Sequence, residues 1–154
     1  MAVNPVPDGY HTVTPYLIAS DAQAVINFAI RAFDAVVVED MRRPDGTVMH
    51  AELQIGNSRV MLGQASEQHP AMPAALYLYV PDTDATYRKA LAAGAVSTME
   101  PVNQFYGDRN AGVRDQSGNM WWIGTHVEDV PKEELQRRAA EEMKRRAGSG
   151  SASA

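Results

Sequence analysis

Apolar and polar positions follow two periods along this chain, one of about two residues and one of about 3.6, and they alternate in blocks. Val13-Thr14-Pro15-Tyr16-Leu17-Ile18 predicts a strand, with Pro15 favouring an edge or an early strand position. Ser20 or Asp21 then caps a helix to about Ala32, where Val25, Phe28, Ala29 and Ala32 form an apolar stripe at i, i+3, i+4 and i+7. Three strands come next: Val36 to Met41, Val48 to Ile55 and Arg59 to Gly63. Pro44-Asp45-Gly46 and Gly56-Asn57-Ser58 supply the turns between them.

The order strand, helix, strand, strand, strand then returns. Ala75 to Val80 predicts a strand, and Asp82 or Thr83 caps a helix that stops at Gly94. Val96 to Val102, Tyr106 to Arg114 and Met120 to Thr125 predict three more strands. Tyr16-Leu17-Ile18-Ala19-Ser20-Asp21 overlays Tyr77-Leu78-Tyr79-Val80-Pro81-Asp82 at a spacing of 61, and Gly56 overlays Gly118 at 62. Near-constant spacing across a whole module points to an internal βαβββ duplication.

Pro131 to Arg146 predicts a last helix with acids in its first turn, bases in its last, and a thin apolar stripe of Leu135, Ala139 and Met143. The expected organisation is an arm (1–12), a first module (13–63), a linker (64–74), a second module (75–126), a C-terminal helical segment (127–146) and a flexible Gly/Ser/Ala tail (147–154).

Composition adds exclusions. At 154 residues and 45% apolar content the chain suits one domain with a real core. Lys plus Arg is 14 and Asp plus Glu is 19, a formal charge of −5, which argues against nucleic-acid and anionic-membrane partners. With no cysteine there is no disulfide, thiolate metal site or cysteine nucleophile. No apolar run approaches the roughly 20 residues of a membrane span, and the N-terminus lacks signal-peptide order, so a cytoplasmic location is expected.

Four segments inside the duplication carry a family likeness: Val13-Thr14-Pro15-Tyr16-Leu17, His50-Ala51-Glu52-Leu53, Phe105-Tyr106-Gly107-Asp108-Arg109, and Asp115 to Trp121 followed by Thr125-His126-Val127-Glu128. In these the chain resembles the vicinal oxygen chelate superfamily (glyoxalase/bleomycin-resistance/dioxygenase), and within it the PhnB-like branch. The resemblance implies an α+β fold in which two βαβββ modules form a curved mixed-sheet trough, helices on the convex side and ligand on the concave side.

Metal-dependent members of that family place a ligand on the first and last strand of each module. The overlay puts these positions at Thr14, Leu62, Ala75 and Trp122, none of them His, Glu or Gln, so no metal is expected there. Alternation places Met49, Ala51, Leu53 and Ile55 toward a helix and His50, Glu52 and Gln54 toward the trough. Leu76, Leu78 and Val80 take the helix side, leaving Tyr77 and Tyr79 inside with Trp122.

The ligand-binding candidates are therefore Tyr16, His50, Glu52, Tyr77, Tyr79, Arg109 and Trp122. Aromatic walls bind flat organic molecules by stacking and burial. Arg109 suits either an anionic ligand group or a carboxylate of the chain itself. His126 could add a donor beside His50, or end the last strand. The branch pattern has bulkier residues where Ala29 and Asn119 stand, which suggests a reshaped cavity.

The expectation is a metal-free binder of a planar or aromatic metabolite or antibiotic, of the antibiotic-resistance type, working as a homodimer without cofactor. The alternative is an isomerase or lyase using His50 as base and Glu52 to orient it, or holding a divalent metal on the same pair.

Overall fold

A computed structural model describes residues 2–150. It contains β1 (Tyr16–Ala19), α1 (Ala22–Phe33), β2 (Val36–Arg42), β3 (Val48–Ile55), β4 (Ser58–Gln64), β5 (Ala75–Tyr79), α2 (Thr83–Ala92), β6 (Val96–Asn103), β7 (Asp108–Arg114), β8 (Met120–His126) and α3 (Lys132–Gly150). The expected α+β class holds: two βαβββ modules, each with a mixed four-stranded sheet, and a C-terminal helix. The sheet orders are β1-β4-β3-β2 and β5-β8-β7-β6, with the β1/β4 and β5/β8 pairs parallel.

The same local chemistry starts both module helices. Asp21 and Asp82 sit in extended conformation, and their carboxylates accept from Ala24 N (2.9 Å) and Ala85 N (3.0 Å). The α1 stripe is buried as its period requires, and it packs on Leu17, Ala51, Leu53 and Leu62 of the first sheet. One core cluster also contains Ala111, Val113, Trp121 and Ile123 of the second sheet.

Phe28 and Phe33 of α1 lie against Trp121, with ring centroids 6.1 and 5.1 Å away. The first module's helix thus touches the inner face of both sheets. The opposite faces of the two sheets point outward, away from the shared core. Leu76, Leu78 and Val80 pack against that core, and Tyr77 and Tyr79 face away from it.

Burial of Trp121 obliges its indole N–H to find an acceptor. Asp115 supplies one: Oδ2 accepts from Trp121 Nε1 and Asn119 Nδ2, both at 2.9 Å, and Oδ1 accepts from the Ser117 and Asn119 amides. Asn119 in turn accepts from Ala74 N at 2.9 Å, which ties the linker to the start of β8. Asn119 and Ala29 are both buried in this core rather than in an outer face. The expectation that they reshape a ligand cavity is therefore corrected: they reshape packing.

Three other expectations change. The β2/β3 register slips between Met41 and Arg42, so Val48 turns inward and Met49, expected against a helix, is exposed. Leu62, expected to face the trough, is 0% exposed in the core; its register partners are Leu17 and Ala51, and Met61 takes the outer position beside Tyr16 and Glu52.

The last helix runs to Gly150, so 147–150 of the expected tail are helical, with Ser149 Oγ bonding back to Arg146 O. Residues 151–154 of that tail lie outside the described residues. The α3 helix has no buried residue, and Met143 of its stripe is 71% exposed. Arg138 anchors it through Glu128 (2.8 and 2.9 Å) and the Phe105 carbonyl. No helix among the described residues is long and apolar enough to cross a membrane.

Removing the Asp115 carboxylate leaves the buried indole N–H, the Asn119 side-chain amide and two backbone amides without that acceptor. Asp115→Ala should cost about 4 kcal/mol of unfolding free energy, on the order of 1 kcal/mol for each lost bond. Urea denaturation followed by tryptophan fluorescence measures it, and a loss under about 1 kcal/mol would contradict the network's role.

Candidate functional site

The outer face of the second sheet is organised by Asp108. It is the first residue of β7 and only 3% exposed. Its Oδ2 accepts from the Tyr77 and Tyr79 hydroxyls, each at 2.9 Å, and its Oδ1 contacts His126 Nδ1 at 2.9 Å. His126 Nε2 reaches Asp129 at 2.7 Å. Two carboxylates, one on each ring nitrogen, favour the imidazolium form, so the bond to Asp129 and then that to Asp108 hold the His126 pKa above its usual value.

Burial alone would push the Asp108 carboxyl up. The hydrogen bonds from His126, Tyr77 and Tyr79 outweigh it and hold the carboxyl below the ordinary range. Burial, with Asp108 adding to it, pushes the Tyr77 phenol up, and the bond to Asp108 does the same for Tyr79. Both phenols therefore stay protonated with their hydrogens directed at Asp108, leaving oxygen lone pairs for other donors.

Asn110, two residues along on the same face of β7, uses that arrangement. Its Nδ2 donates to Tyr77 Oη (3.1 Å) and Tyr106 Oη (2.6 Å), while its Oδ1 accepts from Gln104 at 2.9 Å. Tyr77 and Tyr79 rings lie 5.1 Å apart at 49°. Trp122 and Tyr77, with Met99 and Tyr106, line a cavity of ≈ 380 Å³, and Arg146 of α3 reaches its rim. Tyr77 lies directly over Gly124, where any Cβ would overlap the ring and hydroxyl.

The first sheet repeats the device with other chemistry. Tyr16 lies over Gly63, where a Cβ would come within 3.1 Å of the hydroxyl. The Tyr16 hydroxyl approaches His50 Nδ1 at 3.4 Å, and His50 Nε2 meets Glu52 Oε1 at 3.0 Å. A carboxylate only accepts, so Nε2 carries the proton toward Glu52 and Nδ1 accepts from Tyr16. Tyr16 and Tyr77, and Gly63 and Gly124, each stand 61 residues apart.

The structure thus brings Tyr16, His50 and Glu52 together on one sheet, and Tyr77, Tyr79 and Trp122 together on the other. Arg109 joins neither group. It points to the opposite face of β7, where Asp84 of α2 holds it at 2.6 and 2.8 Å and Asn103 at 3.1 Å. His126, considered as a third donor beside His50, instead bridges Asp108 and Asp129.

Sequence reasoning did not find Asp108, Asn110 and Tyr106 as a unit. Its signal was the parity of Asp108 and Asn110, polar at i and i+2 on a strand whose other face, Ala111 and Val113, is core.

With Leu62 replaced by Met61, the four positions that correspond to metal ligands are Thr14, Met61, Ala75 and Trp122. The Thr14 hydroxyl bonds the His11 carbonyl at 3.1 Å, and the others offer at most a thioether. This donor set does not fit a divalent cation that prefers several nitrogen or oxygen ligands. Among the described residues no group of three or more His, Asp or Glu side chains is placed to hold one.

Comparison with known proteins agrees with this architecture. An uncharacterized protein of Mycobacterium bovis is 34% identical over 147 residues, covering 88% of this chain and 94% of the relative. A Mycobacterium tuberculosis protein, also uncharacterized, matches at 34% over 147 residues and 84% of its own length.

Among solved structures, TioX from Micromonospora sp. ML1 superposes with a TM-score of 0.66 at 23% identity, covering 76% of this chain and 99% of that one. TnmS3, an antibiotic binding protein from Streptomyces sp. CB03234, gives 0.61 at 18% identity over 82% of this chain and 99% of its own. At these identities the likeness is one of fold. The family model matches residues 10–123, and the chain belongs to the Glyoxalase/Bleomycin resistance protein/Dioxygenase superfamily.

Proposed function

We propose that this chain binds a planar or aromatic small molecule, a metabolite or an antibiotic, on the Tyr77–Tyr79–Trp122 face. Its motifs resemble the PhnB-like branch of the family, and a fold neighbour is an antibiotic binding protein. The observation that carries the reading is the Asp108 network. A buried anion fixes two phenol hydroxyls, so the stacking surface presents preset hydrogen-bond acceptors instead of rotating hydroxyls. Fixed polar groups on an aromatic wall give a flat ligand both burial and orientation at low ordering cost.

A homodimer completes the site in this reading. Both outer faces are open in one chain. Val36, Val38, Met41 and Met49 are exposed on the first sheet, and Tyr79, at 68%, with Val96 and Val102 on the second. Apolar faces of this extent favour a partner surface. In the pairing we propose, Tyr16, His50 and Glu52 of one copy cover the aromatic face of the other.

The Tyr16–His50–Glu52 chain favours one second reading. Glu52 sets the His50 tautomer and leaves Nδ1 as a base, the order needed for proton transfer in an isomerase or lyase.

Trp122→Ala should weaken binding of acridine- or quinoline-type probes by roughly 1.5–3 kcal/mol in calorimetric titration, the worth of burying a large apolar side chain. Unchanged affinity would move the ligand elsewhere. Val38→Glu, on the open first sheet, should convert a sedimenting dimer of the 16.8 kDa chain to monomer and weaken binding with it. A wild-type chain that sediments as monomer at the same concentration would remove the shared site. His50→Ala should leave probe affinity within about tenfold, one hydrogen bond's worth. Turnover of a substrate that falls by 10² or more, with binding intact, would establish the enzyme reading instead.

A further inference from the structure

The last helix brings one cation to the aromatic face. Among the partly buried positions of α3, Leu135, Arg138, Ala139 and Glu142 recur at i, i+3, i+4 and i+7, the spacing of one helix face. Eleven residues make close to three turns, so Arg146 returns to within about 20° of Leu135 on that face. Arg145 points about 100° away from it and is 71% exposed. Arg138 pins the face to Glu128 and to the Phe105 carbonyl. About 12 Å further along the helix, Arg146 lines the cavity of ≈ 380 Å³ that Trp122, Tyr77 and Tyr106 share.

Arg146 is the one ionised side chain of that lining. Its Nε is spent on Glu142 Oε1 at 2.8 Å, and among the described residues neither Nη has an acceptor. Tyr106 supplies a second open donor. Its oxygen accepts from Asn110 Nδ2 at 2.6 Å, while its hydroxyl hydrogen meets no acceptor among the described residues. Asn110 itself is fully used, by Tyr77, Tyr106 and Gln104. The buried anion of the face, Asp108, is already covered by two phenol hydroxyls and His126. The cavity thus joins a ring wall to two unused donors, one of them charged.

We propose that the ligand of the aromatic face is an acid: a planar aromatic carboxylate whose ring lies on Trp122 and whose carboxylate takes the Arg146 Nη and Tyr106 hydroxyl donors. This rests on the reading of the Tyr77–Tyr79–Trp122 face as the binding site and names the class of ligand that the site selects. Bonds from a guanidinium to a carboxylate are charge-assisted and outweigh those to a neutral carbonyl of the same shape. The Arg146 side chain is 69% exposed, so water screens the pair and holds the gain to that of an open ion pair. The cavity volume is within the range of pockets that enclose small organic ligands.

The probes are quinoline-4-carboxylate and its neutral isostere quinoline-4-carboxamide, titrated calorimetrically into the full chain at neutral pH. The acid should bind roughly fivefold tighter, about 1 kcal/mol, and added salt should narrow the gap. Arg146→Met should bring the acid down to the affinity of the amide and leave the amide unchanged. Arg146→Lys should keep part of the preference. Arg145→Met removes the same charge from the same turn, off the inner face, and should keep all of it.

The failures are distinguishable. Should Trp122→Ala leave both probes unaffected, the aromatic-face reading falls and the acid selectivity with it. Should Trp122→Ala weaken both while the wild-type chain binds acid and amide equally, the face stands and the acid selectivity is overturned. A preference that survives Arg146→Met overturns it as well. So does one lost equally in Arg145→Met, which would make it a property of the helix's overall charge. Conversion of a sedimenting dimer to monomer by Arg146→Met would give the free guanidinium to a second copy of the chain and overturn it too.

Discussion

The packing of α1 between the modules, against α2 and against Trp121, sets how the two are arranged. A single helix of the first module covers its own sheet and, through Phe28 and Phe33, also reaches the inner face of the second. Two small modules, each too thin to bury a core alone, thereby share one. That sharing has a directional consequence: with both inner faces committed, both outer faces are turned to solvent. The indole at the centre brings a polar atom into the core, and Asp115 satisfies it together with the turn that leads into β8. The join between modules and the geometry of the last strand are therefore one network.

On the outer faces the duplication has kept a frame and changed its chemistry. In each module a tyrosine on the first strand lies across a glycine on the last and meets a polar residue of the third. The partner is His50 in one case and Asn110 in the other. Beneath Tyr77 the second module adds Asp108, which converts a hydroxyl that would rotate into one with a fixed hydrogen. The two faces are thus unequal halves: one carries the Tyr16–His50–Glu52 chain, the other is aromatic and locked by Asp108.

The sequence pattern was a good guide wherever one side of an element is buried. Ala51, Leu53 and Ile55 take the core side that alternation assigns them, and the helix caps fall on Asp21 and Asp82, each one of the two candidates expected. It failed where geometry breaks the period. The slip between Met41 and Arg42 reverses Val48 and Met49, and overlaying the modules one residue out placed core-buried Leu62 in the outer row that belongs to Met61. Networks built across strands were least legible. Asp108 meets residues about thirty positions away, and in the sequence it looks like a partner for adjacent Arg109, whose side chain leaves on the other face.

The glycines beneath Tyr16 and Tyr77 carry a consequence for how such a face can diverge. At Gly124 the Tyr77 ring and hydroxyl occupy the space a side chain would need, so the two positions form a lock in which either both members change or neither does. At Gly63 the Met49 carbonyl, 2.9 Å from where a Cβ would sit, blocks a side chain before the Tyr16 hydroxyl does. A lineage that shortens the tyrosine frees the last strand to carry a side chain, and with it a new donor in the floor of the face. One that keeps the tyrosine forgoes that donor for as long as the ring stays. Ligand repertoire on the second face should therefore shift in paired steps, and the Tyr77–Gly124 pair marks the place where substitutions travel together.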